Sequence, residues 1–168
     1  MKKIELLAPA GDEEALKAAI MAGANAVYMG GSRFGARAFA GNFEDDKLID
    51  AVDYAHQMGV KIYITANTII KDEEIGDFLN YIDFLYEIGV DAVILQDLGM
   101  IDIISKRIPD LELHASTQMT ASTAQDVLYL KELGVSRVVL SRELSYDEIS
   151  AIKTETNVEV EAFVHGVL

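Results

Sequence analysis

The sequence predicts an α/β protein of the TIM-type (β/α)8 barrel class, truncated to about seven parallel strands with covering helices. Three observations carry that expectation. One short pattern recurs along the 168 residues: IMAGANAVYMGG at Ile20–Gly31, AHQMGVKIYITAN at Ala55–Asn67, LYEIGVDAVILQD at Leu85–Asp97 and LKELGVSRVVLSRE at Leu130–Glu143. Each copy joins a helix tail, a glycine suited to the left-handed stop position, a Val/Ile-rich run and a polar end. The runs are continuously apolar and not alternating, as strands covered by helices on a parallel sheet require. No strand is followed by a dinucleotide-type glycine turn entering a helix, which favours a barrel over an open doubly wound sheet.

The first strand is Ile4–Ala8, stopped by Pro9-Ala10-Gly11, and Asp12 is placed to cap a helix over Glu13–Met21. Strand two, Ala26–Gly30, runs into GGSRFGARAFAGNF, a long βα connection with four glycines, three phenylalanines and two arginines. Long βα loops are where such folds carry function. A helix over Asp45–Met58 leads to strand three, Lys61–Ala66. The helix Glu73–Ile88 places Ile75, Phe78, Leu79, Ile82, Leu85 and Tyr86 on one face. Strand four is Ala92–Leu95, with a short helix Gly99–Arg107 ending near Pro109. Strand five, Leu111–Ala115, precedes Ser116-Thr117-Gln118 and a helix to Leu133. Strand six is Arg137–Ser141, its helix Tyr146–Thr154, and strand seven Val158–Val164. A seven-strand remnant leaves two open edges. The whole of 1–168 is therefore expected to be an incomplete barrel domain of a longer protein, prone to dimerise through those edges.

Composition narrows the classes. Half the residues are apolar (51%), which excludes a disordered chain. No apolar run has the length of a membrane span, and MKKIELLAPAG lacks a signal-peptide core, so a cytoplasmic location is expected. Cysteine is absent, which removes thiolate chemistry from these residues. The net charge of −14 opposes a general nucleic-acid or anionic-membrane surface. That leaves room for a local basic pocket, or for a basic domain outside this sequence.

Period-two alternation sorts the strand faces. Glu5, Lys61, Tyr63, Glu112, Arg137, Glu159 and Glu161 fall on the inner face, where buried charges need partners. Glu5 and Glu161 are expected to meet Lys61 or Arg137. At the carboxyl ends, Asn67, Gln96, His114, Glu143 and His165 are expected to converge on the catalytic face. His114, Glu143 and His165 are the candidate catalytic groups, through acid–base or hydrogen-bonding chemistry or as His/carboxylate metal ligands; no short metal motif decides which. Asn67, Gln96 and Gln118 suit substrate orientation. Arg33 and Arg37 are either a bidentate clamp for a small anionic substrate or a pin that holds the loop by an ion pair. Phe34, Phe39 and Phe43 either wall a pocket or anchor that loop in the helix layer. Asp97 lies on the helix-facing parity, as a cap would. Ser116 and Thr117 lack a nucleophile-elbow context.

ELLAPAG at Glu5–Gly11, the GGSRFGARAFAGNF loop, LHASTQM at Leu113–Met119, LSREL at Leu140–Leu144 and EAFVHG at Glu161–Gly166 together resemble the peptidase family U32 proteins. The resemblance implies a TIM-type barrel followed by a further C-terminal region. It implies one of two activities: hydroxylation of tRNA or rRNA using prephenate, a small dicarboxylic acid, or the collagenase-like proteolysis that named the family. Some relatives act in ubiquinone hydroxylation, and a non-catalytic partner role is a third reading. Several relatives carry an iron–sulfur cluster whose first cysteine follows the motif matching His165-Gly166. A cluster or metal is thus expected only in a longer protein, with none held by these residues. Arg142 joins Arg33 and Arg37 as a chemically apt partner for a dicarboxylate.

Overall fold

The computed structural model describes residues 4–36 and 43–165. Seven strands, β1 (Leu7–Pro9), β2 (Ala26–Gly30), β3 (Lys61–Thr65), β4 (Ala92–Leu95), β5 (Glu112–Ala115), β6 (Arg137–Val139) and β7 (Glu159–Glu161), alternate with six helices. These are α1 (Glu13–Met21), α2 (Asp45–Gln57), α3 (Ile75–Glu87), α4 (Leu98–Arg107), α5 (Ala124–Glu132) and α6 (Tyr146–Thr156). The sheet order is β1-β2-β3-β4-β5-β6-β7. Consecutive order is what repeated right-handed βα units give in a barrel, whereas a doubly wound sheet reverses at a switch point.

The four recurring glycines do what their position requires. Gly23, Gly59, Gly89 and Gly134 have φ of 93°, 71°, 81° and 98°, each one residue past a helix cap. Asp12 caps α1 by accepting from the Ala15 amide at 2.8 Å, and Asp97 caps α4 by accepting from Met100 at 3.1 Å. Both acids therefore cap helices, Asp12 as its position before α1 indicated and Asp97 as its parity did.

The chain divides into two compact units, Met1–Val93 and Ile94–Leu168. In the first, β1 pairs parallel with β2 and β2 with β3, with Ile62, Ile64 and Ala66 buried on the helix side. α3 buries Phe78, Tyr81, Ile82 and Leu85, an i, i+3, i+4, i+7 stripe. The expected face included Tyr86, which is exposed, and omitted Tyr81, which is fully buried. In the second unit β5 pairs parallel with β6 and β6 with β7, in the register His114–Arg137–Glu159. Strands β6 and β7 are shorter than the sequence indicates. Pairing ends at Val139 and Glu161, so Val164, which the sequence places at the end of strand seven, is 93% exposed.

Candidate active site at the carboxyl ends of the strands

The inner face of the first unit carries a polar contact reaching across β2: the Tyr63 hydroxyl donates to Glu5 Oε1 at 2.8 Å. Glu5 therefore meets a buried phenol, while Lys61 is exposed. In the second unit the expected pairing holds. Arg137, 8% exposed, donates through Nη2 to Glu159 at 3.0 Å and lies 4.0 Å from Glu161. Contact with both acids places residues 159 and 161 on one face, as the alternation requires.

His114 is fully buried inside β5, level with Arg137 and Glu159, the first residues of their strands. It was expected among the carboxyl-end groups, but the stagger of parallel strands sets it deeper. Its Nε2 is 3.6 Å from Glu112 Oε2, an ion-pair distance and too long for a hydrogen bond. Beyond it, the ends of four consecutive strands present polar residues: half-buried Gln96 after β4, exposed Gln118 after β5, exposed Glu143 after β6 and exposed His165 after β7. Ser116, buried, donates to Gln118 Oε1 at 3.3 Å and accepts from the Gln118 amide at 3.4 Å. Thr117 donates to the Leu140 carbonyl at 3.3 Å. Both hydroxyls thus serve the turn after β5. Arg142 lies with its guanidinium carbon 4.6 Å from the Phe163 ring centre.

In the first unit the described start of the loop after β2, residues 33–36, is tied down. Asn67 Oδ1 accepts from the Ala36 amide at 3.1 Å, and Thr68 donates to the Phe34 carbonyl at 3.1 Å. Phe34 packs edge-on against Phe78, ring centres 5.1 Å apart, which is the anchoring role. Arg33 donates to Asp45 Oδ2 at 2.7 Å and sits over the Tyr81 ring at 4.6 Å. Of its two readings, the loop pin is the one with a partner in place. Tyr81 was not a sequence candidate. Its hydroxyl is buried without a hydrogen-bond partner, as is Asp45 Oδ1. Burial, and after it the Asp45 carboxylate, push the phenol up to about 12, against the opposing pull of Arg33. Arg37 and Phe39 lie outside the described residues.

Among the described residues no group of three or more His, Cys, Asp or Glu could hold a metal ion, so His114, Glu143 and His165 do not assemble as ligands. With no cysteine in the sequence, the residues present do not fit a thiolate-bound cluster. Nor is any described helix long and apolar enough to cross a membrane.

Residues 11–168 match the family model of peptidase family U32. The chain belongs to that family. The U32 protein shares its fold with the structure described as the U32 peptidase Mk0906, at a TM-score of 0.78 and 16% identity over 95% of this chain and 68% of that one. Among curated relatives, the 23S rRNA 5-hydroxycytidine C2501 synthase of Escherichia coli (strain K12) is 43% identical over 99% of this chain and 25% of its own length. The tRNA hydroxylation protein P1 of Bacillus subtilis (strain 168) is 39% identical over 99% of the chain and 40% of its own. The uncharacterized protease MJ0090 of Methanocaldococcus jannaschii is 36% identical over 100% and 42%. The U32 chain thus spans between a quarter and about two fifths of these relatives.

Proposed function

We propose that this chain is the barrel part of an enzyme that hydroxylates a pyrimidine of transfer or ribosomal RNA, with a small dicarboxylic acid such as prephenate as co-substrate. The observation that carries the reading is the 43% identity to an rRNA hydroxycytidine synthase across 99% of the chain. The geometry supports it through Gln96, Gln118, Glu143 and His165, which follow four consecutive strands at the end where barrel enzymes place their chemistry. Glu143 and His165 are assigned to proton handling at the reacting centre, Gln96 and Gln118 to orienting substrate. His114, buried below them, is assigned to holding that face in shape.

The hydroxyl group requires redox chemistry. Because the residues present do not fit an iron–sulfur cluster, its cysteines would come from another part of a longer protein. The same holds for RNA phosphates, since the charge of −14 repels them. A cytoplasmic location follows from an RNA substrate. Pairing between copies through β1 or β7 is proposed only for the 168 residues alone.

The test is nucleoside mass spectrometry of digested RNA from cells lacking the gene. Loss of one hydroxylated pyrimidine is expected, restored by the native gene and not by Glu143→Gln or His165→Ala. Unchanged tRNA and rRNA profiles would overturn the proposal, and full restoration by both variants would leave a scaffold role. The peptidase reading draws on the protease named among the relatives. It predicts peptide cleavage by the purified protein that Glu143→Gln and His165→Ala remove together.

A further inference from the structure

We infer that the Arg142 guanidinium, stacked over Phe163, forms a ledge on which the target base of the RNA lies flat. The inference rests on the RNA-hydroxylation reading and names where in that site the base is held. β6 and β7 are paired neighbours, with Val139 level with Glu161. Arg142 follows the first strand by three residues and Phe163 the second by two, so both stand just beyond the sheet's carboxyl edge. The guanidinium carbon is 4.6 Å from the ring centre, within cation–π range. Arg142 is exposed and Phe163 keeps 37% of its surface in solvent. Phe163 backs one side of the guanidinium, and the exposed outer side of Arg142 is left for a second flat partner.

Two ligand chemistries compete for such a ledge: an anion gripped by the guanidinium fork, and a π-face laid on the guanidinium plane that the phenyl ring backs. The surroundings favour the second. An anion cradle gathers further donors, but the Thr117 hydroxyl is directed to the Leu140 carbonyl at 3.3 Å and Ser116 to Gln118 at 3.3 Å. The next residue, Glu143, is an exposed acid, and the chain as a whole carries −14. Unstacked RNA bases are recognised by stacking on aromatic rings and arginine planes, a contact that needs no phosphate charge. Exposed Gln118, at the end of neighbouring β5, offers an amide to the edge of a base so placed.

The experiment uses the full-length protein and an RNA hairpin whose target pyrimidine is replaced by a fluorescent pyrimidine analogue, quenched on stacking. Phe163→Leu and Arg142→Met should each lose the quench and raise KM for the unlabelled RNA about tenfold, the scale of one lost stacking contact. Phe163→Trp should keep both, which separates stacking from misfolding. Arg142→Lys, which keeps charge but not the plane, should behave like Arg142→Met. Calorimetric titration with the dicarboxylic acid alone should be unchanged in all four. An unaltered quench and KM in Phe163→Leu overturns the inference. So does a loss confined to the acid titration in the Arg142 variants, which marks an anion clamp. A wild-type protein that modifies no RNA removes the parent reading before any variant is compared.

Discussion

At Gly31 a hydrogen is all the space allows. A Cβ there would collide with the Tyr81 hydroxyl, the same hydroxyl that is buried without a partner. Gly31→Ala should therefore lose about 1–3 kcal/mol in urea unfolding, the range for overpacking. Tyr81→Phe should be neutral or stabilising, since it deletes an unsatisfied buried group, and the double variant should recover most of the loss. Additive losses would show that the two do not share one space. The phenol also sets an alkaline limit. Its folded value of about 12 lies above the ordinary tyrosine value of 10.0, so between those values the unfolded chain has released a proton that the folded chain keeps. Stability should fall across that window, by roughly 2–3 kcal/mol at most, and Tyr81→Phe should remove this component of the alkaline slope. None of this was legible in the sequence. The helical stripe Phe78, Ile82 and Leu85 encloses the Tyr81 ring, but nothing in that spacing shows that its hydroxyl ends against Gly31. Arg33 was undecidable for a related reason: its partner Asp45 lies beyond the loop, on another element.

Elements were more legible than residues because their ends are fixed locally. The four glycine stops, the Asp12 cap and the β2 and β4 boundaries depend on a few neighbouring side chains, and the sequence contains those. The α6 start is of this kind. Ser145 accepts from the Glu148 amide at 3.4 Å while Glu148 accepts from the Ser145 amide at 2.8 Å, a reciprocal capping box. Ser145→Ala should cost about 1 kcal/mol by thermal or urea unfolding. The α5 box works through Asp126, whose carboxyl the Ser122 amide and then the Thr123 groups hold below its ordinary value. A lowered carboxylate contributes stability above its unfolded value and loses it as pH falls through the folded one. Asp126→Asn should thus flatten part of the acid limb of the stability profile. The ends of β6 and β7 were not legible, because a parallel strand stops where its neighbour stops pairing. Alternation correctly put Glu159 and Glu161 on one face, where both meet Arg137, yet it had no means of locating the last ladder bond. The depth of His114 escaped the sequence for the same reason, being a property of stagger between strands.

For the whole molecule, the order of seven strands follows from the rhythm of the sequence, whereas its charge conflicts with the proposed substrate. A chain carrying −14 contributes little to a phosphate backbone, yet the relatives include an rRNA hydroxycytidine synthase and a tRNA hydroxylation protein. The two facts are compatible if this chain meets the RNA through one base and leaves the backbone to another region. Counterion release makes that separable. Each phosphate neutralised by a Lys or Arg adds roughly 0.7 to 0.9 to the slope of log affinity against log salt. Replacing the exposed Lys47, Lys71 and Lys131 together by Gln in the full-length protein should leave that slope unchanged, measured by anisotropy of a labelled substrate RNA across a salt series. A fall of about 2 or more would mean that these lysines hold phosphates after all. The division of labour between a base-reading barrel and a phosphate-holding partner region would then have to be abandoned.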